Sequence, residues 1–293
     1  MVEIMETLAS LSLLVFVICS MASMGLSLKM NQILAPLKNV KLVVLALAVN
    51  FLLVPVLAYL ITLLLPLDEP LRIGLILLST AAGAPFLPKL AEVAKGNIAF
   101  SVGLMVLLMI VTIIYLPIVL PLLLGGVEVS PWDIAQSLIV MMLIPLAVGL
   151  FINARYEETA AKLQPTLGQA SNTAIIFLTV LGLALNFRDM IGLVGSWGIL
   201  AGAVFIVVAV LIGYTLGGSE SSIKSVMGLG AGQRNISAAL VVAGQNFDLD
   251  VITYLMVISV VGLVILMPLA GELGKRAQAG AQAASGSVQP ETA

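Results

Sequence analysis

Long apolar runs alternate with short polar segments from one end of the chain to the other. The runs cover residues 7–28, 40–64, 70–92, 98–124, 132–153, 168–187, 192–217, 222–246 and 250–274, and charges, Gly or Pro fill the gaps. A helix of about 20 apolar residues spans the hydrocarbon core of a bilayer. The pattern therefore predicts an all-α polytopic membrane protein with nine transmembrane helices in one domain, residues 1–274. Residues 275–293 are rich in Ala, Gly, Gln and Ser, with nothing apolar to bury, and are expected to form a disordered tail.

Composition strengthens that picture. Of 293 residues, 61% are apolar and 10% charged, against about 45–50% and 25% in soluble domains. This excludes a soluble globular domain, a nucleic-acid binder and a disordered chain. The one cysteine, Cys19, lies in an apolar run, so no disulfide framework is expected. The lack of histidine removes the commonest metal ligand and the usual proton shuttle. No cluster of nucleophile and base, or acid and His, lies in the spans, so catalysis is not expected. The N-terminus is acidic (Glu3, Glu6), unlike a removable signal peptide.

Charge gives an orientation. Lys29, Lys38, Lys41, Lys95, Arg155, Lys162, Lys224, Lys275 and Arg276 fall on one side of the nine spans, and only Arg72 and Arg188 on the other. The Lys/Arg-rich side is expected to be cytoplasmic. That puts the N-terminus outside and the C-terminus inside, in a plasma (inner) membrane. The opposite loops are acidic: Asp68, Glu69, Glu128, Asp133, Asp248 and Asp250.

Two basic residues, Lys89 and Arg234, fall inside spans. An arginine at membrane depth costs about 2.5–3.5 kcal/mol on insertion scales, so it should face protein or water. The acids all map to loops, ends or the tail, so a substrate anion is a candidate counter-charge. Both cations sit in irregular spans. In Ser79–Lys89, Pro85 and Pro88 remove two N–H donors and should break the helix. In Gly228–Asn235, Gly228, Gly230 and Gly232 should loosen it. Paired broken spans point to a transporter binding site. A weak internal repeat agrees: Met24–Leu28 and the span after it match Leu181–Leu185 and its following span, starting from opposite sides of the membrane. Bland readings stand beside these. Lys89 can pair with Glu92 at i,i+3, Ser101 can back-bond within its helix, and backbone carbonyls can cap Arg234. Asn153, Asn172 and Asn186 lie in or at the ends of spans without a distinguishable role.

At these residues the chain resembles the bile acid:sodium symporter family. The resemblance runs from about Met21 to the last span and rests on Met24–Lys29, on Asn50-Phe51 with Pro55, on Ala94–Ser101, and on Gly232-Gln233-Arg234-Asn235. It implies an inverted-repeat fold with a panel domain (about 7–28 and 132–187) and a core domain (about 40–124 and 192–274). In the core, two broken helices cross, with two sodium ions behind the crossing and the organic anion in front. The expected function is secondary transport of a small organic anion, bile-acid-like or a carboxylate, by alternating access. The alternatives are a conventional sodium-coupled symporter and a transport-incompetent sensor or scaffold. The expected substrate- and ion-binding residues are Asn50, Pro85, Pro88, Lys89, Ser101, Gly230, Gly232, Gln233, Arg234 and Asn235. The chain departs from the family at Leu87-Pro88 in place of Ser-Asn, Gly230 in place of an ion-binding Glu, Arg234 in place of Gln, and Met105 in place of Thr. Only Asn50, Ser101 and Asn235 keep oxygens for sodium. The expectation is that Lys89 and Arg234 replace the two ions, both head groups pointing at the crossing. No other cofactor and no nucleic acid are expected, and the oligomeric state is open.

Overall fold

A computed structural model describes residues 2–29, 31, 34, 38–124, 130–185 and 196–286. Glu128, Asn186, Arg188 and the last residues of the tail, 287–293, lie outside the described residues. All regular structure among the described residues is helical: α1 (Val2–Ser27), α2 (Val40–Leu64), α3 (Glu69–Thr80), α4 (Leu87–Val93), α5 (Ile98–Leu123), α6 (Pro131–Arg155), α7 (Glu157–Leu185), α8 (Gly198–Leu216), α9 (Ser221–Gly232), α10 (Ile236–Asn246) and α11 (Leu249–Gly286).

Among the described residues, six segments are long and apolar enough to cross a membrane: Thr7–Ser27, Val40–Leu64, Ile98–Leu123, Pro131–Arg155, Gly198–Leu216 and Leu249–Ala279. The runs at 70–92 and 222–246 are instead each split into two half-helices, α3/α4 and α9/α10. Large apolar side chains such as Leu64, Leu122, Ile118 and Val264 stay exposed on the outer surface, as lipid-facing residues do.

Helix α1 packs mainly on α7 and α6, while α11 packs on α8 and α3. The α1–α6 contact needs glycine. A Cβ on Gly149 would lie 2.9 Å from the Cα of Gly25, so only two glycines let the backbones approach this closely.

Prolines widen two helices rather than stopping them. α2 carries a π-helical turn at Val49–Leu53 just before Pro55, and α6 another at Ile139–Leu143 just before Pro145. Pro55 has no N–H, so the carbonyls of Phe51 (four residues back) and Asn50 (five back) lose their helical partners. Side chains satisfy both. The Tyr115 hydroxyl donates to Phe51 O at 2.6 Å, and Arg234 donates to Asn50 O at 3.5 Å.

Two expectations need correction. The segment from Lys275, expected to be disordered, continues α11 as helix to Gly286. Alanine and glutamine favour helix, and extending an existing helix avoids the cost of nucleation. The second break also lies later than the glycines suggested: α9 remains helical through Gly232, and the chain opens at Gln233–Asn235. The glycines are packing seats. A Cβ at Gly228 would come 3.0 Å from the Cβ of Tyr214, and one at Gly230 would come 3.2 Å from Leu87.

Candidate functional site

The two breaks meet. α3 ends at Thr80, and residues 81–84 leave the helix ahead of Pro85. Gly83 takes a positive φ of 81°, in the left-handed region that glycine reaches without strain. Pro88 stands in the first turn of α4, where its missing N–H costs nothing. The prolines thus start the second half-helix instead of interrupting the first.

Polar groups of the open segment are taken up by neighbours. Ala82 N donates to Thr112 Oγ1 at 2.9 Å, and that hydroxyl donates back to Ala82 O at 3.0 Å. Across the second break, Asn235 N donates to Ala81 O at 2.9 Å and Asn235 Nδ2 to Gly83 O at 3.1 Å. Asn235 Oδ1 also caps α10 by accepting from Ala238 N at 3.1 Å. One buried amide therefore ties break to break and starts a helix.

Arg234 lies in this junction with 4% of its surface exposed. Its Nε donates to Leu78 O at 3.2 Å. One terminal nitrogen reaches Asn50 Oδ1 at 2.8 Å and Ala231 O at 3.3 Å. The other reaches Ser79 O at 2.6 Å and Asn50 O at 3.5 Å. A guanidinium has five N–H donors, and five oxygens receive them. Leu78, Ser79 and Ala231 belong to the last turns of α3 and α9, where carbonyls run out of helical partners and form the negative ends of the helix dipoles; Leu78 O is shared with Ala81 N at 3.2 Å. Two helix C-termini and the Asn50 amide thus make an oxygen cage around a fixed cation. Asn50 is oriented by its own Nδ2, which donates to Ala46 O at 3.0 Å.

The other expected residues are placed as follows. Lys89 Nζ is 2.8 Å from Glu92 Oε2, and both side chains are more than half exposed. Its head group therefore turns to the carboxylate one turn on, not to the junction. Hydrocarbon fills the place beside Gly230: Leu87 lies 3.2 Å and Leu104 3.5 Å from where a Cβ would be. Leu87, Leu104 and Met105 are buried. Ser101 is buried but back-bonds to Ile98 O at 2.7 Å within α5. Asn97 caps α5 by accepting from Phe100 N at 2.9 Å, and Gly96, with Lys95 at φ 52°, completes that turn against α9.

Two cavities flank the junction. One of about 540 Å³ is lined by Ser20, Ser23, Ser27, Gln164, Ser171 and Asn172 from α1 and α7, and by Pro85 of the first break, Pro88, Lys89 and Glu92 of α4 and Met105 of α5. The second, about 310 Å³, is mostly apolar and includes Gly232, Gln233, Arg234 and Asn172. The structure thus brings Asn50, Arg234 and Asn235 together. It sets Pro85, Pro88 and Lys89 apart on the larger cavity, and Gly232 and Gln233 on the smaller.

Thr112 and Tyr115 escaped the sequence reading, whereas the Lys89–Glu92 pair was one of its alternatives. Thr112 and Tyr115 are polar positions three apart in an otherwise apolar run, hence on one helix face. That spacing was the available signal.

Comparison with known proteins gives a family match and two relatives. The model of the sodium bile acid symporter family matches residues 13–193. The chain is 25% identical over 248 residues to the probable sodium/metabolite cotransporter BASS2, chloroplastic, of Oryza sativa subsp. japonica, covering 82% of this chain and 58% of the relative. It is 22% identical over 231 residues to the probable sodium/metabolite cotransporter BASS3, chloroplastic, of Arabidopsis thaliana, covering 77% and 54%. The chain thus spans little more than half the length of these relatives.

Proposed function

The chain belongs to the sodium bile acid symporter family, and we propose that it is an integral-membrane secondary transporter of a small organic anion in which the Arg234 guanidinium stands where a coupling sodium ion would. The observation that carries this reading is the cage around Arg234: five oxygen acceptors, three of them helix-terminal carbonyls, with no carboxylate among them. Hard cations select such oxygen sets. A tethered cation already occupies it.

The reading extends to the architecture. The α3/α4 and α9/α10 pairs are the two broken, crossing helices of a core domain, related by the internal repeat, in a nine-span chain. The α1, α6 and α7 group is the panel. The larger cavity lies between them at the Lys/Arg-rich end, near Leu28 and Glu92, which positive-inside bias places toward the cytoplasm. Lys89 leaves the expected role of a second replacement ion, because its ammonium is paired with Glu92. At the second expected ion position, beside Gly230, leucine side chains supply no oxygen. Asn50 and Asn235 are committed to Arg234, Gly83 and Ala238, which leaves few ligands for a free ion.

The relatives' names favour a second reading, a sodium-coupled symporter. Sodium-dependent thermal stability separates the two. Wild-type protein is expected to melt at the same temperature in sodium and in potassium at equal ionic strength. Arg234→Gln is expected to gain a sodium-specific rise, because a ligand that binds only the folded state stabilises it. A sodium-specific rise in wild type sinks the replacement reading and leaves the symporter. Counterflow in proteoliposomes separates either carrier from a sensor, which binds without flux.

A further inference from the structure

We infer that the 540 Å³ cavity is a carboxylate site in which Lys89 binds the anion, Glu92 is the built-in ligand that the substrate displaces, and the substrate is a small hydroxycarboxylate. The inference takes its setting from the transport reading above and adds which residue holds the substrate and what the substrate presents to it.

Arg234 cannot hold the anion. All five of its N–H groups are already committed inside the junction. Among the described residues lining the larger cavity, Lys89 is the one cation and Glu92 the one anion. Their contact is 2.8 Å and both side chains are more than half exposed, at 57% and 58%. An ion pair this exposed adds little stability and exchanges partners readily. A carboxylate entering the cavity offers the ammonium the chemistry Glu92 offers now. Glu92 then turns to solvent, so the empty site carries no naked charge between turnovers.

The wall formed by α1 and α7 supplies the second half of the recognition. Ser23, Ser27 and Ser171 donate to the carbonyls of Gln164, Met24 and Phe16. Ser20 and Asn172 line the same cavity and make no such bond among the described residues. A hydroxyl and an amide, each both donor and acceptor, suit substrate hydroxyls. A carboxylate for Lys89 and hydroxyls for Ser20 and Asn172 define the class.

The test compares wild type, Lys89→Gln and Glu92→Gln as full-length purified proteins. Thermal shifts are titrated with lactate, glycerate and gluconate, with chloride at equal ionic strength as the control. At least one carboxylate is expected to stabilise wild type. Glu92→Gln frees the ammonium and is expected to bind that anion roughly two- to fivefold more tightly, and Lys89→Gln roughly tenfold more weakly. The opposite signs are diagnostic, since a merely structural pair moves both variants the same way or neither. The inference is overturned if none of the three anions stabilises wild type, or if the two variants shift alike. Counterflow of the same anion in proteoliposomes keeps the two readings apart. Flux without the opposite signs leaves the transporter standing and removes this site. Opposite signs without flux keep the site and remove the transporter.

Discussion

Arg234 is a buried charge with no acid beside it, and its oxygens explain how the fold tolerates it. Helix C-termini present carbonyls that run short of partners in a bilayer, and the guanidinium answers those of Ser79 and Ala231 while sharing that of Leu78 with Ala81 N. The same accounting governs Thr112, whose hydroxyl both accepts from and donates to Ala82. Thr112→Val keeps the shape and strands a buried N–H and carbonyl. It is expected to destabilise the protein by about 1–3 kcal/mol or somewhat more, seen as a lower melting temperature in detergent. Thr112→Ser should recover most of the loss. Equal melting temperatures for Thr112→Val and wild type would show that the open segment does not depend on this hydroxyl.

Helices here are shaped by what their prolines remove. Pro55 frees the Phe51 and Asn50 carbonyls, and the π-turn at Val49–Leu53 turns them toward Tyr115 and Arg234. Without the widened turn, Asn50 O would be tied up within α2 and lost to the cage. A double-mutant cycle checks this dependence. Tyr115→Phe alone is expected to cost about 1–3 kcal/mol, since it leaves Phe51 O unpaired. The ring contact with Phe51, centroids 4.8 Å apart, is retained. In a Pro55→Ala background the restored N–H takes over that carbonyl, so the same change should cost clearly less. Additive costs would mean that Tyr115 acts independently of the proline.

For the molecule as a whole, the polar end near the larger cavity is held by charge as well as by packing. Lys29, just beyond α1, pairs with Glu157 at the start of α7 at 2.7 Å. The hydrogen bond and charge of Lys29 lower the Glu157 pKa from the usual carboxylate value. A lowered folded-state pKa gives a contribution present above the unfolded value, about 4.3, and lost as pH falls through the folded one. Both side chains are well exposed, so the contribution is small. Melting curves from pH 6 downward should show wild type losing slightly more stability than Glu157→Gln below about pH 4. Parallel curves would show that the pair does not link α1 and α7 in solution.

Much of this protein was legible in one dimension because a bilayer makes composition decisive. Uninterrupted apolar runs, displaced charges at Lys89 and Arg234, and prolines at membrane depth each follow from the cost of placing polar groups in hydrocarbon. They fixed a helical membrane protein and pointed to both irregular spans. Position along the chain says nothing, however, about which partners a polar group meets across the fold. Lys89 and Arg234 looked alike as intramembrane cations. Tertiary structure put one against Glu92 at a cavity wall and sealed the other among carbonyls 155 and 156 residues away in sequence. The glycines of α9 read as flexible until Tyr214 and Leu87 were seen packed on them. The break moved to Gln233–Asn235 because bonds from Asn235 to Ala81 and Gly83 compensate there for the lost helix bonds. The sequence determined where charge and irregular backbone needed compensation, because solvation by lipid acts residue by residue. Only the tertiary structure decided what compensates them, because those partners lie on other helices.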